Sequence, residues 1–118
     1  MYVDDEPDMT TMLKMALERA GFTVDIFNDP VLALKSYKPN LYGLVILDIM
    51  MQKMDGLDLY NQLKKVDPGI KVCFLTASNE VYREKLIKEK HCELNKDLFL
   101  EMPLPLNKIV EEINKRIR

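Results

Sequence analysis

Residues 44–48, Leu44-Val45-Ile46-Leu47-Asp48, form an unbroken apolar run closed by one carboxylate. Such a run suits a strand covered on both faces, as in a parallel sheet with helices above and below. Downstream, Leu57, Tyr60, Leu63 and Val66 mark a helix stopped by Pro68-Gly69. Ile70 to Leu75 then reads as a second buried strand, ending at Thr76-Ala77-Ser78. Further helices are expected at about 79–91 and 106–117, the last with Ile109, Val110, Ile113 and Ile117 as one stripe, and a strand at about 98–101. Upstream, residues 1–3 look like the end of a short strand running into Asp4-Asp5-Glu6. Met9, Met12, Leu13, Ala16, Leu17 and Ala20 recur at helical spacing, with Gly21 at the position that follows a helix C-cap. Residues 22–27 read as a strand, and Asp29-Pro30 as the N-cap and first residue of a helix ending before Pro39. Five strands alternating with five helices mean a three-layer α/β domain with a parallel sheet. Periodicity alone does not give the strand order.

At 118 residues, with 47% hydrophobic and 31% charged residues, the chain has the size and apolar content of one globular domain, 1–118. Seventeen Lys and Arg against nineteen Asp and Glu give a net charge of −2. That balance argues against a general nucleic-acid binder, whose domain would be strongly basic. No apolar run approaches the roughly 20 residues needed to cross a bilayer, and no secretory leader opens the chain. Two cysteines, Cys73 and Cys92, do not make a disulfide framework, so a reduced, cytoplasmic protein is expected. His91-Cys92 with Cys73 matches no zinc spacing, and Cys73 falls in a buried strand. Met9 and Met12 are assigned to the core-facing stripe of the first helix. Lys85, Lys88 and Lys90, interleaved with Glu84 and Glu89, read as a solvated helix face.

In a parallel sheet, ligands bind outside the carboxyl ends of the strands. Three strand ends here carry polar groups: Asp4-Asp5, Asp48 and Thr76. Carboxylates gathered on one edge repel one another unless a cation intervenes, and oxygen-only ligands suit Mg²⁺ together with a phosphate. A carboxylate facing a metal-bound phosphoryl donor can act as nucleophile and form an acyl phosphate. Asp48, on the most hydrophobic strand, is the candidate.

The set Val3-Asp4-Asp5-Glu6-Pro7-Asp8, Leu47-Asp48-Ile49-Met50-Met51, Met54-Asp55-Gly56 and Leu75-Thr76-Ala77 resembles the receiver domain of two-component response regulators. The match covers nearly the whole chain in order and spacing. The resemblance implies a flavodoxin-like α/β/α sandwich with strand order 2-1-3-4-5. It implies that Asp48 takes phosphate from a histidine kinase or phosphotransfer protein. Asp5 and Asp48 would bind Mg²⁺ directly, Asp4 mainly through water, and the Met50 carbonyl would complete the protein ligands. Thr76 would be the hydroxyl that moves toward the phosphate, and Phe99 the aromatic switch that follows it. Such a domain is a regulatory switch and no ordinary enzyme, its own chemistry limited to phosphotransfer and autodephosphorylation. A downstream protein would meet the face of helix 4, strand 5 and helix 5; homodimerisation stays open.

Three features depart from the family pattern. Met102 in Glu101-Met102-Pro103 stands where a lysine bridging to the phosphoryl group is usual, before a proline whose bond is expected to be cis. A cation about 4 Å from a phosphoryl oxygen is worth roughly 4 kcal/mol at an effective dielectric near 20, part of it offset by desolvation. Stabilisation and transmission of phosphorylation should therefore weaken, while metal binding rests on the carboxylates. Lys53 and Lys96 are the nearby candidates for a substitute ammonium from another element, and neither is favoured. Gln52 replaces a common proline, which should loosen the loop after Asp48. Only three residues precede Asp4, so either the start is misplaced or trimmed, or the sheet tolerates a clipped strand. No effector domain is visible after the last helix, in keeping with a lone relay protein or a fragment of a longer one.

Two rivals remain. A degenerate receiver would serve as a phosphorylation-independent interaction module. A Mg²⁺-dependent phosphatase would need an acid/base Asp two residues after Asp48, where Met50 stands. No nucleotide-binding glycine motif follows any strand.

Overall fold

The computed structural model describes residues 1–76, 80–89 and 96–117. Strands and helices alternate through them as β1 (Tyr2–Val3), α1 (Pro7–Arg19), β2 (Ile26–Phe27), α2 (Pro30–Ser36), β3 (Val45–Asp48), α3 (Gly56–Val66), β4 (Val72–Thr76), α4 (Glu80–Glu89), β5 (Phe99–Glu101) and α5 (Leu106–Ile117). A 3-10 turn at Lys96–Leu98 leads into β5. All pairings are parallel, in the order β2-β1-β3-β4-β5. The readings of Ala77-Ser78, Lys90 and His91-Cys92 lie outside the described residues, as does the side chain of Lys96.

The central strands bury both faces. Val45, Leu47, Val72, Phe74 and Phe99 point into one apolar layer with Ala33 of α2 and Leu57, Leu59 and Leu63 of α3. Tyr2, Leu44, Ile46, Cys73, Leu75 and Leu100 point into the other, with Leu13 and Leu17 of α1 and Ile109 and Ile113 of α5. Strand alternation explains the division, since successive side chains leave opposite faces. Cys73 is fully buried there as a small hydrophobe, its thiol pushed up to about 11 chiefly by burial, which makes it unreactive.

Local signals set the element ends. The Asp29 side chain accepts from the Val31 N–H at 2.9 Å, with Pro30 opening α2. Asp55 caps α3 in the same way, accepting from the Asp58 N–H at 2.8 Å. Gly21, at φ +96°, turns the chain out of α1. The Met102–Pro103 bond is cis.

Four expectations need correction. β2 pairs only at Ile26 and Phe27, not across 22–27, because its one neighbour, β1, offers only Tyr2 and Val3 as partners. β4 runs from Val72 to Thr76, so Thr76 belongs to the strand. Met12 is 50% exposed and not part of the core stripe: α1 packs through Thr10, Leu13 and Leu17, leaving Met12 and Met15 outside. Val66 is likewise 50% exposed, at the last turn of α3 beyond the sheet. At the first strand, Tyr2 and Val3 pair with both neighbours, and the Met1 carbonyl also accepts from Ile46 N–H at 2.8 Å.

Candidate metal centre

Asp4 and Asp5 follow β1 directly and Asp48 closes β3, its neighbour in the sheet. Carboxylate oxygens of the three residues all lie within 4.8 Å of one another. Asp4 is buried, whereas Asp5 and Asp48 keep partial access to solvent. Asp4 Oδ1 accepts from the Glu6 N–H at 3.0 Å and Oδ2 from the Tyr2 hydroxyl at 2.7 Å. The Asn28 side-chain amide donates to the Asp4 carbonyl at 2.8 Å and to the Thr10 hydroxyl at 3.0 Å, tying the end of β1 to α1 and the start of α2.

The loop after Asp48 is held by the same cluster. The Met50 N–H donates to Asp48 Oδ1 at 3.3 Å, and the Gln52 N–H to Asp5 Oδ2 at 3.0 Å. A proline at 52 would lack that N–H. Glutamine there thus adds a tether between loop and acid, contrary to the loosening expected from the sequence. Gly56 starts α3 against the backbone of Asp48: an added Cβ would overlap the Asp48 carbonyl oxygen, and the Gly56 N–H already bonds Ile49 O at 2.9 Å. The glycine of Met54-Asp55-Gly56 is therefore what lets α3 approach the acid. Beside the cluster lies an open cleft of about 240 Å³ lined by Asp5, Asn28, Asp29, Pro30, Gln52 and Lys53.

Burial pushes the Asp48 carboxyl up to about 8, helped by the Asp4 carboxylate beside it and, less, by Asp5; the Met50 N–H opposes the shift. Three acids held this close lack a compensating positive charge among themselves. Their oxygen-only donor set fits a hard divalent cation that keeps several waters, which is the preference of Mg²⁺. The sequence therefore named the three acids that the fold brings together. It did not find Tyr2, Asn28 or the Gln52 N–H, which hold them. The one available signal was that Tyr2 and Asp4, two apart on a strand, share a face.

The remaining named residues stand on the β4–β5 side. Thr76 is fully buried at the end of β4, one residue past Leu75, the register partner of Asp48. Its carbonyl accepts from the Met102 N–H at 2.8 Å. Phe99 is buried and stacked on Phe74 at 5.1 Å, and Phe74 meets Tyr60 edge-on at 5.6 Å. Met102 packs its thioether against the apolar layer of Leu100 and Ile109. Lys53, held at φ +68°, pairs with Asp29 at 3.1 Å across the cleft.

Comparison with known proteins agrees with this geometry. Residues 1–114 match the response regulator receiver domain. The chain is 30% identical over 118 residues to the alkaline phosphatase synthesis transcriptional regulatory protein PhoP of Bacillus subtilis, covering 100% of this chain and 46% of that protein. It is 32% identical over 77 residues to the response regulator receiver protein CpdR of Brucella abortus, covering 65% of this chain and 64% of that one. It thus spans less than two thirds of the length of either relative. The fold is that of the non-phosphorylated HemR receiver domain from Leptospira biflexa, with a TM-score of 0.81 at 24% identity over 98% of this chain and 90% of that one. Receivers of this kind are signalling switches that generally hold Mg²⁺ in an acidic pocket, and among the described residues no helix is long and apolar enough to cross a membrane. With its order of strands, its acidic edge and its relatives pointing the same way, the chain belongs to the receiver domain family of two-component response regulators.

Proposed function

We propose that residues 1–118 act as one receiver unit that takes a phosphoryl group onto Asp48 from a histidine kinase or phosphotransfer protein. The observation that carries this reading is the meeting of Asp4, Asp5 and Asp48 within 4.8 Å, with Asp48 partly open at the end of β3. An Asp48 carboxylate oxygen forms the bond to phosphorus while the bond from phosphorus to the donor histidine nitrogen breaks, and the imidazole leaves with a proton. Asp5, Asp48 and the Met50 carbonyl would hold Mg²⁺, with Asp4 acting through water. When bound, the cation would supply charge to the phosphoryl oxygens and would offset the carboxylate repulsion that adds to burial in raising the Asp48 pKa. Orientation comes from the chain: the Met50 N–H fixes one Asp48 oxygen, and Gln52 anchors the loop to Asp5.

Phosphorylation puts about −1.5 to −2 charges on the phosphoryl group and removes the one on the Asp48 carboxylate, so this edge gains roughly half to one negative charge, now carried further out. Thr76, at the end of β4, would be the hydroxyl that answers that charge, and Phe99 the buried ring whose packing would follow. The Phe99–Phe74 stack gives such a response a defined starting state. A downstream protein, or a second copy of the chain, would read the change on the face of α4, β5 and α5. Work in the cytoplasm, away from nucleic acid and membrane, belongs to the same reading.

Incubation with Mg²⁺ and acetyl phosphate, followed by intact mass, tests it. One phosphate on the native chain and none on Asp48→Asn is expected. A native protein that binds Mg²⁺ yet stays unmodified would replace the switch by a phosphorylation-independent interaction module.

A further inference from the structure

Strand alternation sends Tyr2 and Asp4 to the same side of the sheet. There the Tyr2 hydroxyl donates to Asp4 Oδ2 at 2.7 Å, while the Glu6 N–H occupies Oδ1 at 3.0 Å. Each oxygen of Asp4 is thus held from a different direction, one by the backbone and one from inside the core. Tyr2 has no exposed surface and packs among Leu13, Leu17 and Ile109, so its ring is fixed and its hydroxyl has one address. Met102 packs against that same layer and carries no side-chain N–H or O–H. Among the described residues, the polar hydrogen this layer presents to the acid cluster is therefore that of Tyr2.

We propose that Tyr2 is a positioning residue for the divalent cation: its hydroxyl locks the Asp4 carboxylate in the orientation the cluster needs. This rests on the magnesium reading above. Groups that hydrogen-bond a side chain ligating a metal typically govern affinity by roughly ten- to a hundredfold, because they limit the rotation a ligand must lose on binding. For Asp4, acting through a metal-bound water, the low end of that range is expected. An oxygen already held by a buried donor has lost that freedom when the protein folds.

The test is a Mg²⁺ titration followed by amide NMR shifts on native protein, Tyr2→Phe and Tyr37→Phe. Tyr37 is the matched control, since it too is buried and donates to a carboxylate, Asp67 Oδ2 at 2.6 Å, but far from the cluster on the α2–α3 side. Tyr2→Phe is expected to bind Mg²⁺ about tenfold more weakly, and Tyr37→Phe as the native protein does. In an Asp4→Asn background, Tyr2→Phe should add no further loss. Tyr2→Leu, which puts an aliphatic residue in the strand, should weaken binding as Tyr2→Phe does and keeps the question open to measurement if Tyr2→Phe fails to fold. Equal affinity in native protein and Tyr2→Phe, or a further loss in the Asp4→Asn background, would overturn the role of Tyr2. A native protein that gives no Mg²⁺ response would overturn the metal reading itself, and the proposal with it.

Discussion

The two faces of the sheet treat its carboxyl edge differently. On the α1/α5 face, Tyr2 and Asp4 sit in a hydrogen-bonded corner that meets Asp5 and Asp48, and the backbone donors of Glu6, Met50 and Gln52 hold the carboxylates in place. On the α2–α4 face, Phe99 lies in an apolar stack with Phe74 and Tyr60, beside the end of β4 that carries Thr76. One face is built to hold charge and the other to hold shape. A lysine in place of Met102, before the cis proline, would put a cation at the end of β5 between the two. Here Met102 takes that place and turns to the apolar layer. On the proposed reading, accepting a phosphoryl group and reporting it would be separable tasks, and Met102 would weaken the second while leaving the carboxylates of the first in place.

The largest expected effect removes a charge from the first face. Asp5→Asn should weaken Mg²⁺ binding by about a hundredfold or more, since a carboxylate beside a dication loses several kcal/mol of attraction even at high effective dielectric. Thr76→Ala should leave that affinity within about twofold of native; equal losses in the two variants would erase the contrast.

The next effect is a pH dependence. The Asp48 carboxyl titrates at about 8 in the folded protein against an ordinary value of 3.8. Between those values the folded state holds more protons at Asp48 than the unfolded one, so without divalent cations the contribution of this group to stability is greatest below about pH 4 and falls as pH rises toward 8. Thermal melts in EDTA should show this fall, and Asp48→Asn should flatten it. Profiles of the same shape in native protein and Asp48→Asn would contradict the crowding of the acids.

Met102→Lys sharpens the contrast from the other side. An ammonium near the carboxylates should lower Mg²⁺ affinity a few-fold by like-charge repulsion and lengthen the life of the phosphorylated state. No change in either quantity would show that another group already supplies the cation. Smallest of all, Gln52→Pro removes the N–H that bonds Asp5, a loss of about 1 kcal/mol, while stiffening the unfolded chain by about 0.4–1 kcal/mol. Its melting temperature should barely move.

Much of the architecture was legible because it rests on local patterns. The apolar run at 44–48 marked a strand covered on both sides, and Asp29-Pro30 marked a helix start that the Val31 N–H confirms. The acids were legible for a topological reason: parallel strands deliver their ends to one edge. What sequence could not show depends on partners far apart in the chain. Asn28 bridges β1 and α1, a link visible only when residues 4, 10 and 28 are in place. Met12 fits a helical repeat, but the packing of α1 through Thr10, Leu13 and Leu17 leaves it outside. β2 looked like a full strand because its apolar residues continue upstream, yet its one neighbour, β1, is two residues long and pairs only Ile26 and Phe27.

The central claim, that acceptance is intact and its transmission weakened, is open to one direct measurement. Beryllofluoride, which imitates a phosphoryl group on a carboxylate, can be added with Mg²⁺ while amide NMR shifts are recorded for native protein and Met102→Lys. The account predicts large shifts at Asp4, Asp5, Asp48 and Met50 in both, with small shifts at Thr76 and Phe99 in the native chain that grow in Met102→Lys. Native shifts at Thr76 and Phe99 as large as those at the acids, and unchanged by the lysine, would contradict it.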